Sequence, residues 1–145
     1  MSSSYRLKSN GVSDLYSFMK QRGFEQGLTD YSEYCSDNLT FPSVQAYGIY
    51  NQTAGLTAVA IATFCRIAVA DDAPTGKICI ISGVYTLEPF RHRGQASKLL
   101  ESIETDATNL KCDYICVDSL ADDLYFNRGF ELAPRNETRM WKRLY

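Results

Sequence analysis

The sequence has one histidine, no surplus of basic residues and no apolar run long enough to cross a bilayer. Its 15 lysines and arginines are outnumbered by 17 acidic residues, for a net charge of −2. This balance argues against a general nucleic-acid-binding protein, because such proteins carry a basic surplus that neutralises phosphates. The longest mostly apolar run, residues 56–70, is interrupted by Arg66 and is shorter than the roughly 20 residues of a membrane-spanning helix. We therefore expect a long strand there and no membrane segment.

The scarcity of histidine also argues against a metal site. The five cysteines form no even framework, and Cys112 and Cys116 have only His92 as a histidine to complete a zinc site. Three of the cysteines lie in apolar runs, where cysteine behaves as a small buried hydrophobe. The first eight residues contain no apolar segment of the kind that a signal peptide carries. We expect a cytoplasmic protein without a metal.

The 145 residues, 45% of them hydrophobic and 22% charged, are typical of one globular domain spanning residues 1–145. Hydrophobic periodicity and turn residues predict both strands and helices. Ser13 is expected to cap the first helix, which ends near Gln21. The predicted strands cover residues 5–9, 43–50, 56–69, 78–87, 114–117 and 140–144, and the predicted helices cover 13–21, 31–38, 96–110 and 120–127. This order predicts a mixed α/β sheet.

The most informative segment leads from a strand through a turn into a helix. Gly94 directly precedes the helix, and a glycine allows the backbone to approach a ligand closely. A helix N-terminus presents unpaired N–H groups and a partial positive charge, which favour a bound phosphate. Arg91, His92, Arg93 and Lys98 add positive charge around the turn. The spacing is neither that of a P-loop nor that of a dinucleotide fingerprint, and glycine also occurs at such turns for geometry alone.

Residues 84–96, Val-Tyr-Thr-Leu-Glu-Pro-Phe-Arg-His-Arg-Gly-Gln-Ala, resemble the acetyl-CoA motif of the GCN5-related N-acetyltransferase (GNAT) superfamily. The resemblance implies a GNAT-like α/β fold: a central, mostly antiparallel mixed sheet with a splayed pair of parallel strands, flanked by about four helices. It also implies acetyl-CoA as the co-substrate. The pyrophosphate would be held at Arg91, His92, Arg93, Gly94, Gln95 and Ala96, and the pantetheine arm would pair with Val84, Tyr85 and Thr86.

Residues 118–130 resemble a second motif of the same family, in which a strand end leads to a helix with Leu-Tyr and a Gly-Phe stop. Asp118 stands where the family has asparagine, and an ionised aspartate cannot donate the hydrogen bond that an asparagine contributes to the cofactor. Tyr125 falls at the position that the resemblance assigns to the acid that protonates the leaving thiolate. A tyrosine here would also fit as a core aromatic with a satisfied hydroxyl.

Acetyl transfer to an amine places further demands on the site. The carbonyl oxygen needs a hydrogen-bond donor as it becomes anionic, and we expect a backbone N–H near Thr86 or Leu87. The amine must be neutral, so the base is Glu88, Asp118 or a chain of waters, unless the amine arrives already neutral.

The resemblance implies that the acceptor is a primary amine on a small molecule or a protein. Glu25, Asp30 and Glu33 belong to an acidic, tyrosine-bearing stretch where family members shape the acceptor pocket. These carboxylates would favour a cationic amine such as a polyamine, a lysine side chain or an aminoglycoside. An ordinary solvated helix face explains the same residues.

Two other functions stay open at this stage. The chain could be an inactive GNAT-like module that binds CoA or a partner protein, since Asp118 departs from the motif and no base stands out. A toxin-type aminoacyl-tRNA acetylase would need a basic RNA-binding face, against which the net charge argues. Members of the family are often dimers, so a homodimer is an option.

Overall fold

The computed structural model describes residues 3–24, 27–67, 76–117, 123–133 and 136–144. Within these residues, seven strands form one sheet in the order β1-β2-β3-β4-β5-β7-β6. The strands are β1 (Ser4–Arg6), β2 (Ser43–Asn51), β3 (Gly55–Ile67), β4 (Gly76–Thr86), β5 (Tyr114–Val117), β6 (Glu131–Ala133) and β7 (Asn136–Arg143). The α-helices are α1 (Val12–Gln21), α2 (Leu28–Ser32), α3 (Gln95–Asn109) and α4 (Asp123–Asn127). None of these described helices is long and apolar enough to cross a membrane.

The sheet is antiparallel except where β4 and β5 lie side by side. These two strands are parallel through four residue pairs, from Ile78 with Tyr114 to Ile81 with Val117, and α3 forms the crossover between them. Over the described residues, β4 then continues from 82 to 86 paired only with β3. The predicted mixed α/β sheet with a splayed parallel pair is therefore confirmed.

The two faces of the sheet carry separate cores. On one face, α3 buries an apolar stripe at helical spacing: Leu99, Leu100, Ile103 and Ala107. On the other face, α1 and α2 bury Leu15, Phe18, Met19 and Tyr31. Val84 packs against the first core, and its neighbour Tyr85 packs against the second. Val84 and Tyr85 lie on opposite faces of the sheet because side chains alternate along a strand. The end of β4 therefore contributes side chains to both faces.

Two predicted helix boundaries were wrong. The first helix begins at Val12, with Gly11 in the capping position and no side-chain cap, because a 3-10 turn over Ser9–Gly11 runs directly into it. Ser13 therefore lies inside the helix and does not cap it.

The second helix covers Leu28–Ser32 and not 31–38. The chain after it continues only as local turns, with the Tyr34 N–H donating to the Tyr31 carbonyl at 3.1 Å, and also bonds to other segments. The Ala46 N–H of β2 donates to the Tyr34 carbonyl at 2.9 Å, and the Ser9 hydroxyl donates to Asp37 at 2.7 Å.

A buried hydrogen bond connects β2 to α3. The Tyr47 hydroxyl, on a residue with no exposed surface, donates to Asp106 Oδ2 at 2.7 Å. Burial, followed by the bond to Asp106, raises the pKa of Tyr47 far above its usual range.

We predict that Tyr47→Phe lowers the free energy of unfolding by about 2 kcal/mol, because Asp106 loses a hydrogen bond that involves a charged acceptor. Urea denaturation measures this loss. The matched control is Tyr50→Phe, whose hydroxyl donates to Asp14 at 2.9 Å at the surface. There water replaces the lost partner, and the loss should stay below about 1 kcal/mol. Equal losses in the two variants would contradict the role given to the buried bond.

Candidate functional site

A cleft of about 620 Å³ lies beside the segment of β4 that extends beyond β5. This volume is within the usual range of small-molecule sites. The lining comes from the end of β4, the turn after it, the first turn of α3, α4 and the end of α1. Its residues are Arg22, Val84, Tyr85, Thr86, Phe90, Arg91, His92, Gly94, Gln95, Ala96, Ser97, Leu124 and Tyr125.

The cleft brings together the two segments singled out in the sequence. Of the predicted cofactor residues that the structure describes, only Arg93 is absent from the lining. Its guanidinium instead lies over the Phe90 ring, 5.3 Å from the ring centroid. Asp118 and Glu25 lie outside the described residues, so their predicted roles remain predictions.

The backbone of β4 is open toward the cleft at two positions. The Leu87 N–H donates to the Thr57 carbonyl of β3 at 2.9 Å, so the backbone groups of Leu87 point toward β3. Bonding directions alternate along an antiparallel strand, so Tyr85 also points toward β3, with which it pairs through Val59. Val84 and Thr86 therefore direct their N–H and C=O groups toward the opposite edge, where no described residue of β5 pairs with them.

This geometry distinguishes between the N–H groups of Thr86 and Leu87, the two predicted hydrogen-bond donors to the carbonyl oxygen of the acetyl group. The Leu87 N–H is already bonded to β3, which removes it as a free donor. The Thr86 N–H lies on the open edge by the alternation of the strand. Arg91 Nε donates to the Thr86 carbonyl at 3.2 Å, which agrees with that orientation and fixes the turn against the strand end.

The turn before α3 exposes backbone amides. His92 and Gly94 have positive φ angles of 63° and 74°, and a Cβ added at Gly94 would meet no atom within 4 Å. The Lys98 N–H donates to the Gly94 carbonyl at 3.1 Å as the first bond of the helix. The amides of the three preceding residues thus have no partner within the helix, and the capping residue, Gly94, has no side chain that could bond them. Such a terminus favours an anion.

Gln95 contributes to the cleft through its backbone. Its side chain is 7% exposed, and its Oε1 accepts a hydrogen bond from Thr57 Oγ1 at 3.0 Å. Thr57 itself has no exposed surface. The side chain of Gln95 therefore anchors the start of α3 to β3, and the backbone N–H is the group that remains for a ligand.

Tyr125 reaches the cleft from α4. The residue is 7% exposed, and its ring packs edge-on against Phe130 with the centroids 5.7 Å apart. The N–H groups of Arg128 and Phe130 both donate to the Tyr125 carbonyl, at 3.1 and 3.0 Å. Gly129, at φ 91°, allows the chain to turn there. These two hydrogen bonds fix the end of α4 next to Tyr125.

A half-buried ion network holds α4 against α3. Arg128 Nη1 donates to Ser97 Oγ at 3.2 Å, and Arg128 Nη2 lies 3.5 Å from Glu104 Oε2. Lys142 of β7 completes the network at 3.1 Å from Glu104 Oε1. Since Ser97 is in the first turn of α3, the network sets the distance between that turn and α4.

Sequence reasoning missed Arg22, which lines the cleft from the end of α1. Its guanidinium lies 5.2 Å from the centroid of the Tyr85 ring. The only local signal was its place beside Gly23 at a helix stop, which gives no hint of which strand faces that stop.

No aspartate or glutamate is among the described lining residues. Glu88, one of the predicted bases, therefore lies outside the cleft, and the described lining contains no carboxylate that could act as the base.

The acidic residues of the α2 region do not reach the cleft. Asp30 Oδ2 accepts a hydrogen bond from the Gly27 N–H at 3.1 Å, which closes the first turn of α2. Glu33 is exposed. The neighbouring Tyr31 and Tyr34 are instead among the residues that line a smaller cavity of about 150 Å³, which we call the aromatic pocket. It is formed by Met19, Phe24, Tyr31, Tyr34, Ile61, Ser82, Gly83 and Tyr85.

Comparison with solved structures gives matches over nearly the whole chain. NAA60 of Arabidopsis thaliana, in complex with acetyl-CoA, has a TM-score of 0.70 at 10% identity, covering 97% of this chain and 96% of that one. The aminoglycoside 6'-N-acetyltransferase AAC(6')-Ih of Acinetobacter baumannii has a TM-score of 0.72 at 16% identity, covering 93% and 94%. AAC(6')-Iy in complex with a CoA-containing bisubstrate analogue has 0.71 at 17%, with the same coverage. At these identities the likeness establishes the fold.

Comparison with curated protein sequences finds no significant match. A family model described as the acetyltransferase (GNAT) family matches residues 13–130. That match covers most of the chain and includes both motifs, so the resemblance seen in the sequence is confirmed. The chain belongs to the GNAT acetyltransferase family.

Proposed function

We propose that the chain is an acetyl-CoA-dependent N-acetyltransferase that acts on a primary amine. One observation carries the proposal: the open edge of β4 and the uncapped start of α3 line the same cleft. In the reaction, the amine nitrogen bonds to the acetyl carbonyl carbon and the carbon–sulfur bond breaks. The amine loses one proton, and the thiolate sulfur gains one.

The cleft offers the polar groups that CoA requires. The amides of Gln95, Ala96 and Ser97 suit the pyrophosphate, because they combine unpaired N–H groups with the positive end of the helix dipole. Arg91 and Arg22 add positive charge beside them. The open backbone groups of β4 suit the amide groups of the pantetheine arm, as one strand pairs with another. Support also comes from NAA60 and AAC(6')-Iy, which were solved with acetyl-CoA and a bisubstrate analogue, respectively.

We predict that Gly94→Trp weakens acetyl-CoA binding by more than about 100-fold. The indole would extend from an unobstructed position into the cleft and displace the pyrophosphate from at least two charge-assisted hydrogen bonds, each contributing about 1.5–3 kcal/mol. Isothermal titration calorimetry measures the dissociation constant.

Gly55→Trp is the matched control for this experiment. Gly55 has nearly the same φ angle, 76°, and equally open surroundings, but is the first residue of β3, at the hairpin with β2. Both variants bear the strain of a side chain at positive φ, about 1–2 kcal/mol, so only the effect on the cleft differs. Tight binding by Gly94→Trp, or equal weakening in both variants, would contradict the proposed cofactor site.

Tyr125 is the proposed acid that protonates the thiolate sulfur as it leaves. It is the one hydroxyl-bearing aromatic residue that α4 contributes to the described lining. The carbonyl oxygen would meet the Thr86 N–H, the donor left open on β4. The described lining supplies no carboxylate, so the described residues leave an amine that binds already neutral or loses its proton through water; Asp118, outside the described residues, remains a predicted base.

We predict that Tyr125→Phe lowers kcat roughly 100-fold or more, the usual contribution of a positioned acid, and leaves the dissociation constant of acetyl-CoA nearly unchanged. Steady-state kinetics and calorimetry separate the two effects. The control is Tyr114→Phe, since Tyr114 has the same exposure, 7%, and stacks on Trp141 away from the cleft. Unaltered kcat in Tyr125→Phe would remove it as the acid. A wild-type protein that binds acetyl-CoA but acetylates no amine would instead be a CoA-binding module.

A further inference from the structure

The first turn of α3 contains a side-chain hydroxyl that is bonded to a cation. Ser97 is half-buried and belongs to the lining of the cleft, and its Oγ lies 3.2 Å from Nη1 of Arg128. A guanidinium carries only donors, so the serine oxygen must accept this hydrogen bond. The hydroxyl keeps its own hydrogen for a second bond, and that hydrogen points away from Arg128 because two donors repel each other.

The hydrogen of this hydroxyl has no acceptor within the described residues. A hydroxyl inside a helix can donate to the carbonyl one turn earlier, as Thr105 of the same helix does to Glu101 at 3.0 Å. In the described part of the chain, the bond from Arg128 is the one side-chain hydrogen bond of Ser97. The Cα–Cβ bond of a helical residue tilts toward the helix N-terminus, so the hydroxyl lies on the side of the turn where the N–H groups are unpaired.

Arg128 is held in place from its other side. Its Nη2 lies 3.5 Å from Glu104 Oε2, and its Nε is buried without a partner among the described residues. The ammonium of Lys142 donates to Glu104 Oε1 at 3.1 Å and to the Arg128 carbonyl at 2.7 Å. Two cations thus share one described carboxylate, which leaves net positive charge behind the first turn of α3.

We propose that Arg128 is a positioning residue for the cofactor: its bond to Ser97 Oγ turns the serine hydrogen into the cleft, where the hydroxyl donates to a phosphate oxygen of acetyl-CoA. This inference rests on the proposed acetyl transfer and adds an oriented side-chain donor to the backbone amides of α3. Arg128 is absent from the described lining, so it acts through Ser97. A hydroxyl that accepts a bond from a cation is polarised and becomes a stronger donor.

The simpler alternative is that Arg128 only joins α4 to α3. Lys142 distinguishes the two roles, because its ammonium bonds to the same carboxylate, and none of its described bonds is to Ser97. The two cations are also similarly exposed, at 23% for Arg128 and 29% for Lys142. A variant without the Lys142 ammonium therefore loses one cation of the network and leaves the bond between Arg128 and Ser97 in place.

The experiment is a double-mutant cycle on the dissociation constant of acetyl-CoA, measured by calorimetry. Ser97→Ala should weaken binding roughly 10-fold, the loss of one hydrogen bond to a charged acceptor. Arg128→Met should weaken binding about 3-fold or more in the wild-type background, because the hydroxyl loses its orientation. In the Ser97→Ala background it should cause no further loss. Lys142→Met is the matched control, and its effect should be the same in both backgrounds.

Two further variants keep the cycle interpretable. Ser97→Thr retains the hydroxyl and should bind acetyl-CoA nearly as tightly as the wild type. If Arg128→Met does not fold, Arg128→Lys takes its place in the cycle, since an ammonium keeps the charge beside Glu104 but lacks the planar fork that reaches two partners.

S-acetylpantetheine, which has the pantetheine arm but no phosphate, locates the effect on the ligand. Its binding, followed by NMR, should be the same for the wild type, Ser97→Ala and Arg128→Met. The inference would be overturned by unaltered acetyl-CoA binding in Ser97→Ala, by equal losses from Arg128→Met in both backgrounds, or by a parallel loss of S-acetylpantetheine binding. Failure of the folded wild type to bind acetyl-CoA would instead overturn the proposed function.

Discussion

The separation of β4 from β5 after Ile81 is the constraint on which the rest of the site depends. Up to that pair, β4 is an interior strand whose backbone groups are used on both sides. Beyond it, β3 still holds β4 in place, but among the described residues neither Val84 nor the Thr86 N–H has a strand partner on the other edge. Burial of such groups without partners would be unfavourable, so the space beside them stays a cleft. The start of α3 lies across this cleft because α3 is the crossover that joins the two parallel strands.

The site consists largely of backbone groups, and the side chains around it keep them in place. Gln95 bonds to Thr57 and so holds the start of α3 on β3. Arg128 and Glu104 hold α4, with Tyr125, at a set distance from the same helix. Backbone amides fixed in this way need no reorganisation when a charged ligand binds, which favours both affinity and transition-state stabilisation.

The parts of this structure that could be predicted from the sequence are those that depend on the spacing of neighbouring residues. Alternating and helical spacing predicted the main strands and α3, and Gly94 marked the turn where φ is positive. Ser13 failed as a cap because a preceding 3-10 turn supplied the start of α1, a continuation that residue preference alone does not reveal. Arg22 and Tyr85 meet only because the end of α1 packs on the end of β4. In the five-residue helix α2, the pattern is too short to show that Tyr31 faces inward and Asp30 outward.

We propose that backbone amides on both sides of the cleft, on β4 and on α3, hold acetyl-CoA. Residue-resolved amide hydrogen exchange, with and without acetyl-CoA, tests it most directly. We predict slower exchange at Val84 and Thr86 on β4 and at Gln95, Ala96 and Ser97 on α3, with β1 and β6 unaffected. Protection confined to α3, or protection at neither segment while acetyl-CoA binds, would contradict the account.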